Sequence, residues 1–373
     1  MTIFTSNPLE QYRSHSLEID SAVMKCLQTG DYILGQAVHE FELNFAKYLG
    51  SSYCVGVNSG TDALIISLRA LGIQRGDEVA TTSLTAVATI SAIVAIGAIP
   101  VFVDISRSNY NISIEEIEST IKKRNLKAII IVHLHGNPND MESIMAIARR
   151  HSIKVIEDCA QAHGASWNNK KIGTYGDISA FSFYPTKNLG AMGDAGAIVT
   201  SNQHYFEQSL LLRQYGWNDN RESVISSNVS RMDSIQAVIL SVKLKYLDSD
   251  NEKRATNAQR YENNLRSSGF LLPSKDFLGK HVFHQYVIQT DFRDILIQSL
   301  QVKGINLSIH YQIPAHKHKA FQIYHNATVD NTLENTESTC NKILSLPMYP
   351  ELANDAIDFV SESLITTKRE ILQ

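Results

Sequence analysis

From about residue 50 the chain alternates short apolar runs with stretches whose apolar residues recur at helical spacing, the pattern of a wound α/β sheet. Runs at 53–57 (YCVGV), 79–82, 101–104, 128–133 and 154–158 read as strands, and 61–71, 114–123 and 141–150 read as helices. Two more strands are expected at 178–182 and 197–200. Beyond Asn202 the character changes: helices are expected at 232–247 and 252–265, then a strand at 282–289 and a helix at 294–302. The polar DSDN stretch at 248–251 marks the expected boundary between a large lobe with an N-terminal arm (1–250) and a smaller α+β lobe (251–373). No repeat or low-complexity tract suggests independent modules.

Length agrees with two lobes, since 373 residues exceed the roughly 250–300 at which single cores stop growing. One stretch, 79–103, carries no charge, which raises the question of a membrane span. Its Thr81, Thr82, Ser83, Thr85, Thr89 and Ser91, followed by Gly97 and Pro100, suit strand, helix and strand in a buried core instead. The chain opens without a basic flank and apolar core, so a cytoplasmic protein is expected. A net charge of -4 gives no electrostatic case for nucleic acid. The four cysteines are scattered, with neither zinc-site nor disulfide-scaffold spacing, and no metal is expected.

Candidate chemistry concentrates in 181–197, FSFYPTKNLGAMGDAGA, where Lys187 stands beside a run of Gly and Ala. A surface lysine is the ordinary reading of any one lysine. Its surroundings argue for more. Asp158 ends the apolar run KVIED, and ligands of wound sheets collect at the carboxyl ends of strands. A carboxylate there can hold a pyridine nitrogen protonated, and Gln161, three residues on, can bond a ring hydroxyl. Asn58-Ser59-Gly60-Thr61-Asp62 joins a strand to a helix start, a natural phosphate site, with Thr61 either a phosphate contact or a plain N-cap. Ser182 can donate to the same phosphate from the opposite side. Together these predict an aldehyde cofactor bearing a pyridine ring and a phosphate, with Lys187 forming an imine to it and shuttling a proton.

The series NSGTDAL, GDEV, VIEDCAQAHGA, FSFYPTKNLGAMGDAGAI, LLRQYGW, SRMDSIQAVIL and IHYQIPAH resembles the nucleotide-sugar aminotransferases, over roughly residues 30–350. The resemblance implies the aspartate-aminotransferase-like fold type I, with a mostly parallel seven-stranded sheet and a smaller α+β domain. It implies pyridoxal 5'-phosphate held by Lys187, Asp158 at the ring nitrogen, Gln161 at the ring oxygen, and Gly60, Thr61 and Ser182 at the phosphate. It further implies a nucleoside-diphosphate-linked keto-6-deoxysugar as substrate, dTDP-3-keto in type, with L-glutamate as amino donor. VHLHG at 132–136 looks more like the enzymes making 3-amino sugars than 4-amino sugars. A same-fold sugar dehydratase has His where Lys187 stands, and a non-catalytic cofactor-binding regulator would leave the lysine, aspartate and serine set without purpose.

Similar enzymes are homodimers whose partner subunit reaches into the site with an Asn just before SR(M/L)D. Here Val229 occupies that register and Asn228 is its neighbour, so Asn228 is the expected substitute. Many relatives carry an aromatic over the ring in TFVAT; this chain reads TAVAT, with Ala86 at that point, and no stacking residue is assigned. His310 and Tyr311 fall where similar enzymes touch the sugar nucleotide, against the competing reading of a structurally satisfied His.

Overall fold

Seven strands form the central sheet of the computed structural model, which describes residues 2–274, 279–324 and 332–373. In chain order they are β1 (Tyr53–Val57), β2 (Glu78–Thr82), β3 (Ile99–Val103), β4 (Leu126–Val132), β5 (Lys154–Asp158), β6 (Ile178–Ser182) and β7 (Gly196–Thr200). Their spatial order is β1-β7-β6-β5-β4-β2-β3. Strands β2 to β6 run parallel; β7 lies antiparallel to both β6 and β1. The interior strands are buried on both faces, which is why they read as unbroken apolar runs such as AIIIV. On one face Phe41, Phe45, Phe181 and Phe183 pack edge to face within a large core; on the other, Leu64, Leu68, Ile93 and Ile156 belong to a second cluster.

The uncharged 79–103 stretch is strand, helix (Val87–Ala95) and strand, as expected. Among the described residues no helix is long and apolar enough to cross a membrane, and all four cysteines are buried and free.

The 232–247 helix is two elements, Ser234–Leu244 and the start of Leu247–Leu265. The DSDN stretch therefore lies in the first turns of a 19-residue helix, where Asp side chains favour the positive end of the helix dipole. Asn251 is buried there because its amide is bonded at both ends, accepting from Asn188 and donating to the His163 carbonyl. The 282–289 strand is shorter than expected and begins at Tyr286: the Val282 and Gln285 N–H groups are taken by the carbonyls of Gly136 and His135.

A third core gathers Tyr261, Tyr286, Leu296, Leu344, Ile357 and Leu364, around the antiparallel pair Tyr286–Gln289 and Ile343–Leu346 and the long final helix Asn354–Leu372. Ile3 joins it through backbone hydrogen bonds with Gly304 and Asn306.

Candidate active site

Strand register builds the site. Val132 pairs with Asp158 and Asp158 with Ala180, so Asp158 and Ser182 emerge at the carboxyl ends of adjacent parallel strands. Ser182 pairs across with Gly196, which pairs with Val57, the residue before the Asn58–Thr61 loop. A Cβ on Gly196 would lie 2.3 Å from the Ser59 carbonyl oxygen; its absence lets the loop cross β7 to reach Ser182. A Cβ on Gly60 would in turn lie 2.5 Å from the Ser182 Cβ. Two of the three expected phosphate anchors, Gly60 and Ser182, are thus packed against each other, and Gly60 is glycine because Ser182 occupies the side-chain position.

The helix they open runs Gly60–Ala70, and its N-cap is Ser59, whose Oγ accepts from Asp62 N at 3.1 Å. Thr61 is therefore not the cap. It sits half-buried in the first turn, and its hydroxyl makes no hydrogen bond among the described residues. Ser230, of the SRMD motif, braces the loop by donating to Asn58 Oδ1 at 3.0 Å.

Asp158 is 5% exposed and accepts from Thr89 Oγ1 at 2.9 Å and Ala160 N at 3.1 Å. Burial raises its pKa above the usual carboxylate range, against the opposing pull of those two donors and of the Lys187 charge. A buried carboxylate in this state gains most from a cation brought to it, as a protonated ring nitrogen would be.

Lys187 follows a turn closed by its own N–H to the Tyr184 carbonyl. Its pKa falls to about 8 because burial outweighs the attraction of Asp158. The loop is held rigidly around it. Asn188 donates to Asn251 and to the Val282 carbonyl and accepts from His284, while the buried Lys243 ammonium caps the Gly190 carbonyl at 2.6 Å.

Gln161 is buried with its amide oriented: Oε1 accepts from His135 N at 2.6 Å, and Nε2 donates to the Tyr311 hydroxyl at 2.9 Å. An amide nitrogen carries two protons, so one remains for a ring oxygen. Tyr311 is thereby held against Gln161, its pKa pushed up to about 12 by burial and by Asp158. His310 lies in a turn, half-buried, and is bonded through Nδ1 to Ser345 at 2.9 Å, so its ring is structurally satisfied. Asn228 is exposed; its carbonyl accepts from Tyr215 N, and its side chain makes no hydrogen bond among the described residues. Ala86 precedes the helix that carries Thr89.

Residues the motif reading passed over complete the site. Thr89 was legible only as one hydroxyl in an uncharged run, and His135 only as part of VHLHG. Behind Asp158, the buried trio His133, Glu157 and Cys159 lies close enough to suggest a metal. The His133 and Glu157 atoms are engaged: Glu157 accepts from the backbone of Gly173, Tyr175 and Gly176 and from His133, whose Nδ1 accepts from Asn139 N. The His133–Glu157 pair is a hydrogen-bonded support for the end of β5.

Two touching residues at a helix start, a buried carboxylate, an amide with a spare proton and a desolvated lysine are the groups that would fit the phosphate, ring nitrogen, ring oxygen and aldehyde of pyridoxal 5'-phosphate. The fold and site define a pyridoxal-phosphate-dependent aminotransferase of fold type I. The chain belongs to the DegT/DnrJ/EryC1/StrS aminotransferase family, which it matches over residues 14–365. It is 42% identical over 347 residues to the dTDP-3-amino-3,6-dideoxy-alpha-D-galactopyranose transaminase of Aneurinibacillus thermoaerophilus, covering 93% of this chain and 94% of that protein. It is 41% identical over 362 residues to the UDP-N-acetyl-3-dehydro-alpha-D-glucosamine 3-aminotransferase of Acidithiobacillus ferrooxidans, covering 96% of each. The crystal structure of DesV from S. venezuelae, in complex with a ketimine intermediate, superimposes with a TM-score of 0.92 at 35% identity, over 100% of this chain and 99% of that one.

The cradle makes a direct prediction. Gly60→Ala puts a methyl into the Ser182 side chain, and cofactor affinity is expected to fall at least about 10-fold, the scale of losing one charge-assisted hydrogen bond. Absorbance titration of cofactor-free protein with pyridoxal phosphate reads the loss; an unchanged affinity would place the phosphate elsewhere.

Proposed function

We propose that this enzyme aminates a nucleoside-diphosphate-linked 3-keto-6-deoxysugar, dTDP-linked, with L-glutamate as donor, as a cytoplasmic homodimer. The carrying observation is that Tyr311, from the segment expected at the sugar, is bonded to Gln161, the residue expected at the cofactor ring, at 2.9 Å. Relatives named for 3-amino sugars support the choice of carbon. In the dimer reading, the exposed Asn228 serves the phosphate of the partner subunit. Residues 1–250 and 251–373 form the large and small lobes, with the arm bridging them.

When bound, the cofactor supplies an electron sink that stabilises negative charge on the carbon losing or gaining a proton. The chain does the rest. Asp158 holds positive charge at the ring nitrogen. Gly60, Thr61 and Ser182 anchor the phosphate, and Gln161 orients the ring oxygen. Lys187, with a pKa of about 8, is neutral in roughly a tenth of the molecules at pH 7, so Nζ serves as attachment point and then as the base that moves the proton. The Asn188 and Lys243 contacts keep Nζ in place through both halves of the exchange.

A panel of dTDP- and UDP-linked 3- and 4-amino sugars, each offered with 2-oxoglutarate, tests this in the reverse direction. Oxoglutarate-dependent loss of amine is expected from the dTDP-linked 3-amino sugar above the others; preference for a 4-amino sugar would overturn the assignment of carbon.

A further inference from the structure

The VHLHG motif holds a residue that the cofactor chemistry leaves unexplained. His135 is 3% exposed and sits in a one-turn segment, Leu134–Gly136, in the left-handed region at φ 59, ψ 5. That conformation is costly for any residue with a Cβ, and it persists where surrounding contacts impose it. Gly136 follows at φ 91, and a Cβ there would approach the Gln161 carbonyl oxygen and the His284 nitrogen to 3.0 Å. The turn is therefore wedged between the cofactor-side loop and the segment at 282–285.

Its contacts close a circuit. The His135 backbone N–H donates to Gln161 Oε1 at 2.6 Å, and Gln161 Nε2 donates to the Tyr311 hydroxyl at 2.9 Å. Tyr311 is covalently next to His310, whose carbonyl lies 2.9 Å from His135 Nε2. A carbonyl only accepts, so Nε2 carries the proton. The ring also meets Tyr110 edge to face, with centroids 5.8 Å apart, and burial lowers its pKa to about 4, leaving a neutral ring with a fixed donor.

We propose that His135 is a positioning residue for the sugar substrate: through its Nε2–H to the His310 carbonyl it fixes the His310–Tyr311 segment against the Gln161 anchor. This rests on the assignment of that segment to the keto-sugar side. The amino-donor half does not use the link, because the His135 contact to Gln161 is through the backbone and survives side-chain replacement.

The variants His135→Phe, which keeps a ring but no donor, and His135→Gln, whose Nε2 can replace that of the imidazole, separate the possibilities. Loss of one buried hydrogen bond predicts a KM for the nucleotide-linked amino sugar raised roughly 10-fold or more in the Phe variant. kcat should change less than about threefold, and the glutamate-driven change in cofactor absorbance should keep its rate; the Gln variant should return most of the KM. The amino-sugar nucleotide concentration that half-saturates the rate of cofactor absorbance change in the holoenzyme, without oxo acid, should move in parallel. Should the Phe variant not fold, His135→Asn, too short to reach the His310 carbonyl, reads the same loss. An unchanged KM, equal loss in both halves, or no rescue by Gln overturns the proposal. Failure of the wild-type enzyme to turn over any nucleotide-linked amino sugar would instead refute the substrate assignment.

Discussion

Lys187→Ala abolishes transamination, with kcat expected to fall by at least about 10³-fold, because it removes both the attachment point and the base, and a positioned proton-transfer group alone supplies roughly 10²–10⁴. Fold and cofactor pocket should survive. Asn188, not Lys187, carries the hydrogen bonds that tie the loop to Asn251, Val282 and His284. The phosphate cradle of Gly60 and Ser182 does not involve the lysine either. The variant is expected to bind pyridoxal phosphate noncovalently, visible as cofactor absorbance removed by dialysis, while glutamate produces no 2-oxoglutarate. Residual turnover within about 10-fold of wild type would assign the proton transfer to another group.

The second large effect is at Asp158. Asp158→Asn keeps the shape and the contact to Thr89 but removes the charge that a protonated ring nitrogen needs, and a fall in kcat of roughly 10²–10³-fold is expected, the scale of one electrostatic contact to the reacting system. The same variant has a signature at the lysine. The Asp158 carboxylate favours the Lys187 ammonium, opposing the burial that brings its pKa to about 8; without that charge the pKa must fall further. Below the pKa the amine is protonated and unreactive; above it, reactive. In cofactor-free protein, competitive acylation of Lys187 followed by peptide mass should therefore titrate near pH 8 in wild type and at lower pH in Asp158→Asn. An upward shift, or none, would mean that the two groups do not sense each other.

The sheet and the meeting of Asp158, Ser182 and Gly60 at its strand ends were legible in the sequence because each rests on local pattern. Apolar runs such as 154–158 end on the carboxylate they deliver, and Gly60 and Gly196 are small where chains cross. Element limits that depend on distant partners were not legible. The DSDN stretch resembles a loop until Asn188 and the His163 carbonyl satisfy Asn251 and allow it to be buried in a helix. The 282–285 segment resembles strand until the Leu134–Gly136 turn takes its backbone donors. Thr61 looked like a cap because Ser, Thr and Gly stand side by side, and only geometry selects Ser59. Within the site, Thr89 reaches Asp158 and His135 reaches Gln161 across 69 and 26 residues of sequence. No spacing rule joins such pairs; the sheet does.

The central claim is that Lys187 holds the cofactor. Purified protein saturated with pyridoxal phosphate, reduced with borohydride, digested and read by peptide mass tests it in one step. The predicted result is loss of the cofactor's visible absorbance together with one reduced pyridoxyl phosphate on the peptide containing Lys187. An unmodified Lys187, or a pyridoxyl group only on another lysine such as the buried Lys243, would contradict it.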